Sequence, residues 1–136
     1  MRKKLVVNES FEDFITGRRL SSPDAYVVLV RGSHMQTLSE LYHEIASALQ
    51  FPDYFGGNWN AVDDCLQDLG WIKEKKYIIG IERFEEILSY WALESKARET
   101  EMDYFVDCLE SAVQAWAGRM VVYIQEKGEA YQLCPP

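Results

Sequence analysis

Three short apolar runs, rich in β-branched residues, set the strongest limits on how this chain can fold: Ala25–Val30, Tyr77–Ile81 and Met120–Ile124. A strand with one wet face alternates polar and apolar residues, whereas a strand covered on both faces does not. The runs therefore read as strands buried on both sides, the pattern of a parallel sheet. The segments between them carry helical signals. Thr37 with Glu40 three residues on makes a capping box, and Leu38, Leu41, Tyr42, Ile45 and Leu49 fall on one apolar stripe. Pro52 closes that helix. Asn58 suits the cap of a second helix running to about Asp68, with Gly70 as its stop. Residues 84–97 read as helical, and residues 102–117 as a stronger helix ended by Gly118. The order strand, two helices, strand, one or two helices, strand predicts an α/β fold. Its centre is a three-stranded parallel sheet with right-handed crossovers and packed helices.

The 136 residues are the size of one domain. Residues 25–125 hold the three runs. Residues 1–24 are expected to be a short N-terminal extension, with a small strand at Leu5–Val7 and a helical turn carrying Phe11, Phe14 and Ile15. Residues 126–136, with Gly128 and two prolines, are expected to form a loosely packed tail.

The chain carries 22 acidic against 14 basic residues, a net charge of −8. A nucleic-acid binder needs a basic surface to displace counterions from phosphate, so direct binding to RNA or DNA is disfavoured. Anionic lipid is disfavoured on the same ground. The acidity suits either plain solubility or a partner with a positive surface. Three cysteines, Cys65, Cys108 and Cys134, are an odd number in no zinc-like spacing, which argues against a disulfide framework and a metal site. Leu5–Val7 is followed at once by Asn8, Glu9 and Ser10, so no signal-like apolar region is predicted, and no run approaches the ~20 apolar residues of a spanning helix. A cytoplasmic location is expected.

The helix from Asn58 to Asp68 is the most informative segment. At about 100° per residue, Trp59, Val62, Cys65, Leu66 and Leu69 gather on one side, and Asn60, Asp63, Asp64 and Gln67 on the other, with Asp68 at its edge. A helix favours anions near its N-terminus and cations near its C-terminus. Here Asp63 and Asp64 sit mid-helix, Asp68 sits at the C-terminal end, and Asp64 and Asp68 repel at i, i+4 spacing. No Lys or Arg within the helix relieves them. Such a locally unfavourable choice is expected at functional sites.

The run Tyr54-Phe55-Gly56-Gly57-Asn58-Trp59-Asn60-Ala61-Val62-Asp63-Asp64-Cys65-Leu66 is preceded, without gaps, by Val28–Gly32, Leu38–Leu41 and Phe51-Pro52. Together they resemble the barstar family of ribonuclease inhibitors. The resemblance implies a three-stranded parallel sheet with packed helices. It also implies that the acidic helix and preceding loop enter the basic cleft of a barnase-type ribonuclease. There the carboxylates would take the places of RNA phosphates and pair with Arg, Lys and His.

The same resemblance assigns partner contacts. Asp64 falls on the inhibitor's central carboxylate and Tyr54 on a loop tyrosine that packs against the nuclease's catalytic histidine, with Gly56 and Asn58 in the same loop. Asn60 stands where the family has Asp, and Asp63 where it has Trp. Gln67 and Trp71 fall on contact positions, Asp68-Leu69 reading as a two-residue insertion before Trp71. A glutamate contact on the penultimate helix falls on Glu110, or, by an equal alignment, on Ser111. The implied partner is a cationic ribonuclease, bound by a chain that is monomeric when free and needs no cofactor.

An enzyme built on Asp63, Asp64 and His34 or His43 is the rival reading. Adjacent residues on a helix point about 100° apart, so the two aspartates do not face each other. His43 reads as a surface helix residue and His34 as a turn residue, and no phosphate loop, serine elbow or Cys–His signature is present. A further alternative keeps the fold and changes the partner: an immunity or interaction module for a different basic toxin or protein, suggested by the changes at Asn60 and Asp63.

Overall fold

A computed structural model describes residues 2–53, 55–90 and 94–135. Among the described residues, five strands form one mixed sheet in the order β1-β5-β4-β3-β2. They are β1 (Arg2–Leu5), β2 (Tyr26–Arg31), β3 (Tyr77–Glu82), β4 (Met120–Glu126) and β5 (Glu129–Leu133), and the helices are α1 (Phe11–Ser21), α2 (Leu38–Ala48), α3 (Trp59–Asp68) and α4 (Ser95–Trp116). The three apolar runs are β2, β3 and β4, and they pair in parallel, Val28 beside Ile79 and Ile79 beside Val122. The expected three-stranded sheet is thus corrected to five. The C-terminal segment returns as β5 antiparallel to β4, and β1 pairs antiparallel with β5.

The tail expected to be loose is therefore a sheet strand, with Ala130 and Leu133 buried. Its reversal is a two-residue hairpin in which Lys127 and Gly128 both take positive φ, 49° and 79°. That is the backbone of the tight turn whose twist matches the strands it joins.

Each apolar strand has two covered faces for a simple reason. Successive side chains alternate across a sheet. Val30, Ile79, Ile81, Met120, Val122 and Ile124 pack with α2, α3 and α4 in the main core. Val27, Leu29, Ile78 and Tyr123 point the other way and meet Phe11, Phe14 and Ile15 of α1. The extension is thus a strand at Arg2–Leu5, not the expected Leu5–Val7, and a three-turn helix rather than one helical turn. Gly80 lets α1 settle close: a Cβ there would lie 2.5 Å from Ile15 Cδ1.

Of the segment read as a helix over 84–97, residues 91–93 lie outside the described residues, residues 95–97 are the start of α4, and residues 84–90 differ. Phe84–Glu86 is a single 3-10 turn and Ile87 is extended. Leu88 and Tyr90 then donate backbone hydrogen bonds to the Met35 and Gln36 carbonyls, at 2.8 and 3.1 Å. The spacing of buried Phe84, Ile87 and Leu88 imitates a helix because two turns in a row face the core. α4 starts at Ser95, two turns before the expected Met102. Arg98 ties its beginning to the Glu85 and Ile87 carbonyls at 3.2 and 3.1 Å.

Candidate functional site

α3 forms as its sequence dictates. The Asn58 side chain accepts a hydrogen bond from the Ala61 N–H at 2.8 Å, which satisfies one of the free donors of the first turn. The helix ends on Leu69, which takes the left-handed conformation at φ 50° where a glycine was expected to stop it, and whose side chain is fully buried. Burial of Leu69 offsets the backbone cost, so Gly70 is not needed at that position. Asp68 then accepts from the Gly70 N–H at 3.1 Å.

The inward face comprises Val62, Cys65, Leu66 and Leu69, all buried. Trp59 is half-buried and tightly held. Its Nε1 donates to Glu101 Oε2 at 2.6 Å, and its ring meets Tyr42 edge-on at 5.2 Å. Further along, Trp116 Nε1 donates to the Leu66 carbonyl at 2.8 Å, fixing α4 alongside α3.

The outward face carries Asn60, Asp64 and Gln67, all exposed, with Asp63 half-exposed at the border with α4. Gln67 Nε2 donates to Asp63 Oδ1 at 3.1 Å. Among the described residues, Asp64 has neither a hydrogen-bond nor an ion-pair partner. The local field is negative enough to reach buried thiols. Burial raises the Cys65 thiol above its ordinary value, and Asp64 and Asp68 push it the same way. Cys108, under the α3–α4 seam, is pushed up to about 11 by burial and then by Asp63 and Asp107.

Gly56 and Asn58 are exposed in the loop leading into α3, while Tyr54 lies outside the described residues. Asn58 is committed to its cap. Trp71 is half-buried and anchored, its Nε1 donating to the Leu49 carbonyl at 2.9 Å and its ring against Phe51 at 6.1 Å. Glu110 is not brought to this face: it lies about 180° around α4 from Glu101, the residue that grips Trp59. Ser111, exposed, is on the side of α4 that borders α3. His34 and His43 are both exposed and line, with Arg31 and Glu44, an open pocket of about 630 Å³ that neither Asp63 nor Asp64 borders. Among the described residues no cluster of His, Cys, Asp or Glu could hold a metal ion, and no helix is long and apolar enough to cross a membrane.

These features define an α/β domain that displays the carboxylate-bearing side of one short helix and its leading loop. A family model described as Barstar (barnase inhibitor) matches residues 25–128, about three-quarters of the chain. The chain belongs to the barstar family. The match spans β2 to the β4–β5 turn, and leaves β1, α1 and β5 outside it. A comparison with curated proteins finds no match.

Proposed function

We propose that this chain inhibits a cationic ribonuclease of the barnase type by covering its active site with α3 and the loop before it, the carboxylates standing in for RNA phosphates. One observation carries the reading: the Asp64 carboxylate is exposed on a helix whose charges are unfavourably placed, and no cation among the described residues pairs with it. An unpartnered anion on a rigid, well-capped element is ready to pair with a partner's Arg or Lys without reorganisation. The chain's net charge of −8 adds long-range attraction to a basic enzyme.

The test is to titrate the pure protein against a barnase-type ribonuclease and follow RNA cleavage at low and moderate salt. The expected result is stoichiometric inhibition that weakens as salt rises. Unchanged cleavage at micromolar protein overturns the reading. One observation favours a different basic toxin as partner: Asp63 places a carboxylate where the family has a tryptophan, and Asn60 lacks the one the family has. Inhibition of such a toxin with no effect on a barnase-type enzyme is the outcome that selects this second reading.

A further inference from the structure

Tyr104 is half exposed, and its ring is an exposed large hydrophobic surface that adjoins α3. Its ring stacks on Trp59, centroids 6.3 Å apart and planes at 28°. Trp59 is itself clamped by Glu101, Tyr42 and Phe105, so the stack is rigid on its inner side and open on its outer side. α3 and α4 run in the same direction here, since Trp59 meets residues 101–105 and Leu66 meets Trp116. One turn further along both helices come Asp63, four residues after Trp59, and Asp107, three after Tyr104. Residues at these spacings are surface neighbours. Each carboxylate therefore lies next to one ring of the stack, Asp63 beside Trp59 on α3 and Asp107 beside Tyr104 on α4, and between the helices Cys108 Sγ donates to the Trp59 carbonyl at 3.7 Å. Gln67 holds only one oxygen of Asp63, and Asp107 has no hydrogen-bond or ion-pair partner among the described residues.

An aromatic face edged by carboxylates fits one common side chain best. A guanidinium is planar and weakly hydrated, stacks on aromatic rings, and presents its N–H groups sideways to carboxylates; an ammonium does only part of this. We propose that Tyr104 is a partner-contact residue whose ring, flanked by the carboxylates of Asp63 and Asp107, receives an arginine side chain of the cationic partner. The proposal builds on the docking role of α3. It adds Tyr104 and Asp107 of α4 to the surface and names the group they recognise.

The test separates the two ideas by using a probe that needs no nuclease. The isotopically labelled full chain is titrated with N-acetyl-argininamide, and in parallel with N-acetyl-lysinamide, and backbone shifts are followed by NMR. Arginine shifts concentrated at Asp63, Tyr104 and Asp107, larger than those with lysine, support the proposal. So does their retention in Tyr104→Phe and loss in Tyr104→Ala, with both variants melting within about 2 °C of the wild type. Equal shifts with lysine, or arginine shifts untouched by Tyr104→Ala, overturn it. Against a ribonuclease that the wild type inhibits, Tyr104→Ala should raise the dissociation constant about five- to thirty-fold, and an unchanged constant again overturns the proposal. Lack of inhibition by the wild type counts against the proposed function alone, because the arginine titration still decides the role of Tyr104.

Discussion

α1 and α3 are helices of nearly equal length on opposite sides of the same sheet, and their charges obey opposite rules. α1 is capped by Ser10, carries Glu12 and Asp13 in its first turn, and ends with Arg18 and Arg19. Every one of those charges complements the helix dipole. α3 is equally well capped by Asn58, yet it has no acid in its first turn, no base in its last, and three aspartates from the middle onward. Both bury an apolar side against the protein. α1 is arranged for stability, while α3 gives up some stability to keep negative charge uncovered.

The comparison can be broken in four ways. The largest effect is expected for Asp64→Ala, which should weaken inhibition by a hundred-fold or more, on the order of a lost charge pair buried in the complex. Its melting temperature should stay within about 2 °C of the wild type. A strongly lowered melting temperature would show that Asp64 serves the fold. On the opposite side, Ile15→Ala should cost about 2–5 kcal/mol by cavity formation, since Ile15 is 2% exposed and seated over Gly80. Denaturant titration measures the loss, and the inhibition constant of the folded protein should not move.

The third variant concerns Glu44 of α2, a buried acid that is paired, unlike Asp64. Burial alone would raise its carboxyl, but hydrogen bonds from the Arg31 backbone and guanidinium, at 3.0–3.2 Å, and the cation's charge outweigh this and hold it below the ordinary 4.5. A carboxyl whose pKa is lower when folded contributes its full stability above the unfolded value. That contribution is lost as pH falls through the folded one. Glu44→Gln should therefore cost about 1–2 kcal/mol at neutral pH. Its deficit should vanish at acid pH, below the lowered folded value, as read from denaturant curves across pH. The smallest effect is a gain. Asp68→Asn keeps an acceptor for the Gly70 N–H while removing the charge at the C-terminal end of α3, and should stabilise by about 0.3–1 kcal/mol. A loss would mean that the Asp68 charge is not a burden.

What could be read in advance follows from how local the signals are. α2 and α3 each begin with a side chain that caps its own helix, Thr37 and Asn58, and each carries a clean apolar stripe, so a few neighbouring residues suffice to place them. The outward face of α3 is legible for the same reason. The start of α4 has no apolar stripe, because its first turns are held by Arg98 and Glu101 reaching to other segments. β5 is five residues long and becomes a strand through pairing on both sides. α1 carries the poor helix former Gly17 at its centre, which masks it in the sequence, and its role as the second cover of the sheet appears only when β2 and β3 are side by side. Within the site, the stacking of Tyr104 on Trp59 joins residues 45 positions apart, which no helical wheel can bring together. The place of Glu110, by contrast, needed only the phase of α4 relative to Trp59.

The pairing of β1 with β5 brings Arg2 opposite Leu133. Tension applied between those two residues would act on neighbouring strands at their adjacent ends, opening hydrogen bonds one rung at a time rather than shearing a whole ladder at once. The two outer strands would peel away first, and only afterwards would the pull reach the parallel trio on which α3 rests.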